Sequence, residues 1–306
     1  MPLCLIGAGS NLGDPEQRLN AARRALEGHP QIELRAASGF FATRPVGGPK
    51  GQPPFLNAAF LVETLLAPHA LLECLHEIEA SAGRQRARRW EARRLDLDLL
   101  LYDEQVLEDS RLSVPHPRMS FRRFVLQPAV EIAGQMRHPL IGWTLAELLN
   151  HLNSAPDYVA IASSSQADAT RLAEQVASRT DAQLVRAPAL GAPGGSESGL
   201  LAPAGYEISS DIEFARGSAA ALRDAIGHSG PTISDFCLDA DSARDDCGSF
   251  ASPRLIVWLD LTVESHAADA LQLPQSLAGR GPLLRLSQAN RERWVDEVVA
   301  AIEAMR

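Results

Sequence analysis

A short stretch after residue 94 constrains the fold more than any other part of the chain. Between Leu95 and Tyr102, apolar side chains alternate with two carboxylates at the start of the stretch, the period-two pattern of a strand buried on one face. Asp96 and Asp98 therefore project together from one face. The opposite face carries three leucines, Leu95, Leu97 and Leu99. A strand with one apolar face needs a packed layer over it, so the first half of the chain must combine a sheet with other elements.

Other patterns in the first half predict helices between antiparallel strands. Three more segments have strand-like apolar or aromatic character: Leu3–Ile6, Leu34–Phe41 and Phe55–Thr64. A turn-rich loop at 7–11 follows the first of them, and a Gly/Pro loop at 45–54 precedes the last. Helices are predicted to begin at Asp14-Pro15 and at Pro68, and a further helix runs near Leu145–Leu152. This order predicts an α+β sandwich.

The second half has the character of an α/β domain. Tyr158–Ile161 reads as a strand, Ala169–Ser178 as a helix and Trp294–Met305 as a closing amphipathic helix. Arg254–Asp260 is apolar on both faces, which is typical of a strand in a parallel sheet. The segment 187–205 is rich in Ala, Gly, Pro, Ser and Leu and is predicted to be a loop. With 151–157 as a linker, we predict two domains, 1–153 and 158–306.

Charge and composition limit the classes of partner. The net charge of −9 belongs to the second half, because residues 1–155 carry 17 basic and 17 acidic side chains and the remainder carry 12 and 21. An acidic protein is a poor nucleic-acid binder, since phosphate contacts need positive surface. The N-terminus does not resemble a signal peptide, no apolar stretch approaches the roughly 20 residues of a membrane span, and the four cysteines lack close spacing. We expect a cytoplasmic protein without a membrane or nucleic-acid partner.

A run of arginines stands immediately before the two carboxylates. Six arginines lie between residues 84 and 94. Neighbouring carboxylates repel each other unless a cation joins them, and hard oxygen ligands beside arginines favour Mg²⁺ with a polyphosphate. An Asp-x-Asp pair alone is as often a solvated strand face, and an arginine run alone is usually an exposed helix or loop. Their adjacency favours a magnesium-dependent phosphate-transfer site.

Five short motifs in order resemble one enzyme family. They are Gly9-Ser10-Asn11-Leu12, Thr43-Arg44-Pro45-Val46-Gly47, Phe55-Leu56-Asn57-Ala58-Ala59, Arg93-Arg94-Leu95-Asp96-Leu97-Asp98 and Val114-Pro115-His116. Together they resemble 6-hydroxymethyl-7,8-dihydropterin pyrophosphokinase of folate biosynthesis, over about residues 3–153. The resemblance implies a ferredoxin-like α+β fold and transfer of the terminal pyrophosphate of ATP to the pterin hydroxymethyl group, with release of AMP.

The resemblance also implies roles for individual residues. Two Mg²⁺ ions would be bound by Asp96 and Asp98. The phosphates of ATP would be contacted by Arg84, Arg86, Arg93, His116 and Arg122, with Trp90 closing over the site. The nucleotide pocket would be lined by Glu79, Leu99, Arg111 and Ser113. The pterin would be read by Thr43, Val46 and Asn57 and stacked between Phe55 and Phe124. Each has a plainer alternative: the two phenylalanines as core aromatics, Asn57 as a turn cap, and His116 as a loop residue between prolines.

The start of the second half resembles a phosphate-binding loop that has lost its key residues. On the pattern G-x-x-x-x-G-K-[ST], the glycine positions hold Ser163 and Asp168, the lysine position holds Ala169, and only Thr170 matches. Lys50 is the only lysine in the chain, so no other loop of this type exists.

Residues 158–306 more weakly resemble deoxynucleoside kinases, through segments near 233–239, 253–260 and 281–286. We therefore expect a degenerate, non-catalytic P-loop-kinase-like domain of parallel-sheet α/β architecture, used in packing or in forming a homodimer. Two alternatives stay open: an active nucleoside kinase in this half, or a whole chain that is a non-catalytic pterin or nucleotide sensor.

Overall fold

Two five-stranded sheets organise the part of the chain that the structure describes. The computed structural model describes residues 1–49, 51–83, 93–186, 221–222, 224–226, 231–235, 252–261 and 280–306. The chain divides into two compact units, unit 1 of Met1–Asn150 with Ile302–Arg306 and unit 2 of His151–Ala301.

Unit 1 is built on an antiparallel sheet. Its strands are β1 (Leu3–Ser10), β2 (Ile32–Ala37), β3 (Phe41–Thr43), β4 (Phe55–Thr64) and β5 (Asp96–Tyr102). The order is β2-β4-β1-β5, and the short β3 also pairs with β4. A separate hairpin joins β6 (Leu107–Glu108) to β7 (Ser113–Val114). Leaving out β3, the β-α-β-β-α-β order with β1 and β4 in the centre is the ferredoxin-like arrangement, so the α+β prediction is confirmed for this unit.

Helices cover the two faces of this sheet. They are α1 (Pro15–Glu27), α2 (Pro68–Ser81) and α3 (Arg123–Ala133), and a further helix, α4 (Leu145–Ser154), follows α3 along the chain. Asp14 caps α1, because its Oδ1 accepts a hydrogen bond of 3.0 Å from the N–H of Gln17. Leu19 of α1 and Leu75 of α2 share one core with Ile6 of β1. The opposite face is packed by α3, which contacts β4, β1 and β3.

Several element predictions needed correction in unit 1. Strand β1 runs on to Ser10 through the predicted loop, because its glycines pair directly with β4 and β5. The segment predicted as one strand, Leu34–Phe41, is part of two strands, β2 and β3. Helix α3 was not predicted, since Pro128 interrupts its pattern. The predicted linker is helical as far as Ser154, because Leu152 is fully buried (0% exposed).

Unit 2 contains a parallel sheet. Its strands are β8 (Tyr158–Ser163), β9 (Gln183–Val185), β10 (Thr232–Ser234), β11 (Leu255–Asp260) and β12 (Leu283–Ser287), in the order β12-β11-β8-β10-β9. Helix α5 (Gln166–Thr180) follows β8, and α6 (Trp294–Ala304) ends the chain. The residues from Leu255 to Leu259 are all buried, and β11 pairs in parallel with both neighbours, which confirms the parallel-strand prediction. The predicted 187–205 loop lies outside the described residues.

The described residues also limit what else the fold contains. Among them, no helix is long and apolar enough to cross a membrane. Cys4 and Cys74 are free thiols, and both are buried. In the same part of the chain, no group of three or more His, Cys, Asp or Glu side chains is arranged to hold a metal ion.

Candidate active site

Two carboxylates lie on one face at the start of β5. In the pairing with β1, Asp96 is opposite Gly9 and Asp98 is opposite Gly7. The alternate residues Leu97 and Leu99 turn to the other face and belong to the core beneath α1 and α2. The predicted division of this strand into a polar and an apolar face is therefore confirmed.

Gly9 forms the floor between these carboxylates and β4, whereas the side chain of Leu100 lies against Gly7. The register places Asn57 opposite Gly9 on one side of β1, while Asp96 lies opposite Gly9 on the other. A Cβ atom added at Gly9 would be 3.2 Å from Oδ1 of Asn57 and 3.8 Å from Cδ1 of Phe55. Neighbouring strands are about 4.8 Å apart, so Asn57 and Asp96 stand roughly 10 Å apart across a bare stretch of main chain. We refer to the region above Gly9, between these two side chains, as the hollow.

Arg93, in the segment before β5, contacts one of the two candidate metal ligands, Asp96 and Asp98. Its guanidinium forms an ion pair with Asp96. Burial lowers the pKa of Arg93, but the carboxylates of Asp96, Asp98 and Glu79 together outweigh it and raise the pKa above its ordinary value. Arg93 therefore stays charged beside both aspartates.

The Gly-Ser-Asn-Leu motif at the end of β1 fixes the backbone of this arginine segment. Asn11 donates from its main-chain N–H to Arg93 O at 3.0 Å and accepts from Arg93 N–H through Oδ1 at 2.7 Å. Ser10 Oγ donates to Arg94 O at 2.5 Å. The motif was noted in the sequence, but the pattern did not reveal this contact, because it joins segments 82 residues apart.

Glu79 occupies the free edge of β5. It is 1% exposed, and its Oε1 accepts a 2.7 Å hydrogen bond from the N–H of Leu97, between the two aspartates. Arg111 lies in the turn between β6 and β7, and its Nη2 donates to Oε1 of Glu73, on the same helix as Glu79, at 2.6 Å. Ser113 is in β7, opposite Glu108, and the side chain of Leu99 is in the core. Their roles in holding a nucleotide stay predictions.

His116 is held against β5 by a β-bulge. The pairing of β1 with β5 shifts so that Leu100 is the extra residue, and its carbonyl accepts from His116 N–H at 2.9 Å. The His116 Nδ1 atom accepts from Arg118 N–H at 3.2 Å, so a neutral ring carries its proton on Nε2. Burial, Arg122 and Arg118 lower the pKa of His116 to about 3, against a smaller opposing effect of Asp96. The imidazole is therefore neutral near pH 7 and can donate from Nε2.

Arg122 adds a second cation on this side of the aspartates. Burial and Arg118 lower its pKa to about 10, although Asp98 and Asp96 act in the other direction. The side chain remains charged near pH 7. Arg118 was not among the predicted site residues, and the only signal for it was its place two residues after His116. Arg93, Arg118 and Arg122 give three positive charges beside two negative ones, which favours a polyanion.

The candidate pterin residues lie on the other side of the glycine floor. Thr43 of β3 is opposite Phe55 of β4, and Asn57 Nδ2 donates to Oγ1 of Thr43 at 2.8 Å. Asn57 is 6% exposed and also lies near Phe41, whose carbonyl accepts from Nδ2 at 3.4 Å. The amide is therefore oriented by the fold, with its Oδ1 beside Gly9.

Two further predicted residues border this area. Phe124 is the second residue of α3, the helix that packs on β4, and the guanidinium carbon of Arg122 is 5.4 Å from the centroid of its ring. Val46 is half-buried in the loop before β4. Arg84, Arg86 and Trp90 lie outside the described residues, so their predicted roles stay untested.

Comparison with known proteins identifies the family. The model for 7,8-dihydro-6-hydroxymethylpterin-pyrophosphokinase (HPPK) matches residues 5–134. The 2-amino-4-hydroxy-6-hydroxymethyldihydropteridine pyrophosphokinase of Haemophilus influenzae is 42% identical over 134 residues, which are 44% of this chain and 83% of that protein. The chain belongs to the HPPK family.

Other HPPK relatives give the same picture. The enzyme of that name from Pseudomonas aeruginosa is 44% identical over 144 residues, covering 47% of this chain and 88% of that protein. A crystal structure of Plasmodium falciparum HPPK-DHPS matches at 12% identity with a TM-score of 0.37, over 88% of this chain and 72% of that one, and we draw nothing from so distant a likeness. The HPPK model ends before β8, so the family match does not extend to the parallel sheet of unit 2.

Proposed function

We propose that this chain transfers the terminal pyrophosphoryl group of ATP to the hydroxymethyl group of 6-hydroxymethyl-7,8-dihydropterin, giving AMP and the pterin diphosphate in folate biosynthesis. One observation carries the proposal: Asn57 and the Asp96–Asp98 pair face each other across a glycine floor within an HPPK-family unit. The width of that floor lets a pterin ring at Asn57 direct its hydroxymethyl group toward the aspartates.

Asn57 and Thr43 supply the groups that read the edge of the ring. The bond from Asn57 Nδ2 to Thr43 Oγ1 fixes both side chains before a ligand arrives. Buried, oriented polar groups discriminate strongly between heterocycles, because a wrong ligand leaves them unpaired. Phe55 and Phe124 would stack on the two faces of the ring, a role that stays a prediction from the family resemblance.

The arginines and His116 would bind the phosphates of ATP. Arg93 and Arg122 are charged planar donors, and neutral His116 offers its Nε2–H. The sequence adds Arg84, Arg86 and Trp90 to this set, with Glu79, Leu99, Arg111 and Ser113 along the nucleotide. In the transfer, the pterin hydroxyl oxygen forms a bond to the β-phosphorus while the bond from that phosphorus to the α–β bridging oxygen breaks. AMP departs, and the hydroxyl proton passes to solvent. The chain supplies positioning and charge, which is most of what phosphoryl transfer requires.

Asp96 and Asp98 fit the needs of Mg²⁺. Their side chains are half-buried, share one face and lie beside three arginines. Mg²⁺ is usually held by one or two carboxylates together with substrate phosphates and water, so this pair suits ions that arrive with ATP. Bound there, two Mg²⁺ ions would neutralise phosphate oxygens and polarise the hydroxyl group. Arg93 would keep Asp96 oriented for them.

Product analysis tests this function. Purified full chain with Mg-ATP and the pterin is expected to yield AMP and pterin diphosphate in equal amounts, and Asp98→Ala is expected to abolish both while leaving the protein folded. Specific binding of the pterin and ATP without any AMP would favour the alternative of a non-catalytic sensor. Turnover that survives Asp98→Ala would overturn the site assignment.

We propose that unit 2 is a non-catalytic module of the deoxynucleoside-kinase type, with domain ranges of 1–153 and 158–306. The order of its parallel strands, with β8 in the centre and β10 and β11 on its two sides, supports a P-loop-kinase-like arrangement. At the start of α5, Asp168 pairs with Arg291. Thr170 Oγ1 donates to Oδ2 of Asp235 at 2.6 Å. A carboxylate thus stands where a P-loop would offer glycine to a phosphate.

Nucleoside phosphorylation tests this second proposal. Full-length chain with Mg-ATP and each common deoxynucleoside is expected to form no nucleoside monophosphate, and sedimentation is expected to show a homodimer if unit 2 serves association. Nucleoside monophosphate formation that survives Asp98→Ala would instead establish an active nucleoside kinase in unit 2.

A further inference from the structure

Asn11 bonds to two segments that border opposite ends of the site. Its side chain is 3% exposed and lies in the turn between β1 and α1. Oδ1 accepts from Arg93 N–H at 2.7 Å, and the main-chain N–H donates to Arg93 O at 3.0 Å. Nδ2 donates to Pro53 O at 3.1 Å. One amide therefore uses its acceptor on the segment before β5 and its donor on the loop before β4.

The bonds to Arg93 fix a residue just before β5 begins. Arg93 is three residues ahead of the strand, yet both its N–H and its carbonyl are bonded to one partner, as in a strand pair. Two bonds to one peptide residue set its direction as well as its position. The guanidinium of Arg93 is consequently directed toward Asp96, with which it forms an ion pair.

The hydrogen bond to Pro53 holds the loop on the pterin side of the site. Pro53 is two residues before Phe55, where β4 begins, and it lies near the end of the Gly/Pro loop at 45–54. Proline cannot donate from its own nitrogen, so its carbonyl is the main-chain group available to anchor this point. Asn11 Nδ2 supplies that anchor from the turn that follows β1, the strand that carries Gly9.

We propose that Asn11 is a positioning residue that holds the phosphate side and the pterin side of the site in register. Asn11 Oδ1 supports nucleotide binding because it positions Arg93. Asn11 Nδ2 supports pterin binding because it positions the loop that contains Pro53. The inference rests on the proposed function and extends it to a residue that touches neither ligand.

The two halves of the amide can be separated by substitution. Asn11→Asp keeps an oxygen to accept from Arg93 N–H but replaces the donor to Pro53, whereas Asn11→Ala removes both. In full-length chain, we expect Asn11→Asp to weaken pterin binding about tenfold and binding of Mg with a non-hydrolysable ATP analogue less than about twofold. We expect Asn11→Ala to weaken both about tenfold. Calorimetric titration of each ligand separately measures these constants.

A matched control removes a similar buried bond away from the site. Thr64 is 0% exposed, and its Oγ1 donates to Gln31 O at 2.8 Å at the far end of β4. Thr64→Ala is expected to lower the melting temperature and leave both dissociation constants unchanged.

If Asn11→Ala behaves like this control, the positioning role is overturned. Equal effects of Asn11→Asp on both ligands would overturn the division between donor and acceptor. If wild-type chain binds neither ligand, the proposed function itself fails, and this inference fails with it.

Discussion

Gly9 shapes the hollow by lacking a side chain, whereas the side chain of Leu100 fills the space above Gly7. Both glycines lie in β1 with extended pairing on each side, so neither is needed for an unusual turn. The effect of Gly9 is steric: the space above it separates the Asn57 side from the aspartate side. Glycine in a strand interior weakens the strand, and a close approach by a ligand is a common reason for keeping it.

Gly9→Ala should obstruct this hollow. The new Cβ would lie 3.2 Å from Oδ1 of Asn57, which must move by a few tenths of an ångström and strain its bond to Thr43. We expect the KM for the pterin to rise about fivefold or more, with the KM for ATP nearly unchanged. Gly39→Ala is a suitable control in steady-state kinetics, because its Cβ would be no closer than 3.6 Å to any neighbour. An unchanged pterin KM in Gly9→Ala would show that the ring does not lie there.

His138 should make the protein sensitive to acid. Burial lowers its pKa from the ordinary 6.5 to about 4, although a backbone hydrogen bond opposes the shift. Between these pH values the unfolded chain binds a proton that the folded chain does not, so stability falls as the pH drops from 6.5 towards 4. When the pH is lowered from 7.5 to 5, the titration of His138 should reduce the free energy of unfolding by about 2 kcal/mol.

Denaturant titration of wild type and His138→Gln at both pH values measures that contribution. His116 and His151 shift in the same direction and remain in the variant, so only the difference between the two proteins is assigned to His138. Equal losses in both proteins would contradict the prediction.

At the scale of elements, β5 depends on a buried carboxylate from α2. As an edge strand, β5 has main-chain groups with no strand beside them, and Glu79 accepts from one of them. We expect Glu79→Gln, which keeps an amide oxygen, to fold with nearly wild-type stability. Glu79→Ala should lose about 1–3 kcal/mol, because it leaves the N–H of Leu97 buried without that acceptor. Chemical denaturation measures both, and a destabilised Glu79→Gln would contradict the hydrogen-bond interpretation. An altered ATP KM in Glu79→Gln would support the predicted nucleotide contact.

The elements that the sequence predicted well are those whose pattern is local. Apolar and aromatic character located β4, alternation located β5, and Asp14-Pro15 located the start of α1. Strand β1 was predicted too short because glycines read as a turn, whereas their strand pairing depends on β4 and β5. Helix α3 was missed at Pro128. The contacts of Asn11 and Arg118 could not be read from the sequence, because they depend on segments brought together only by the sheet.

At the scale of the whole molecule, the two units differ in charge and in whether the HPPK family model matches them. Unit 1 contains the HPPK match and the balanced charges, whereas the excess of acidic residues belongs to the second half. In unit 2, Asp168 is paired with Arg291. We expect Asp168→Ala to lower the stability of the chain by about 1 kcal/mol or less and to leave AMP formation from Mg-ATP and the pterin unchanged. Thermal melting and product analysis of the same preparation measure both, and a loss of AMP formation would contradict a non-catalytic unit 2.

The glycine floor has a consequence for resistance to inhibitors. A compound that lies on Gly9 rests on main-chain atoms, and no mutation can shorten the main chain to remove those contacts. A mutation can only add bulk there, and the added bulk would intrude on the natural ligand in the same place. Resistance mutations to such a compound should therefore arise at the surrounding side chains. Inhibitors that contact mainly the main chain of the floor, and few of those side chains, should be the slowest to lose potency.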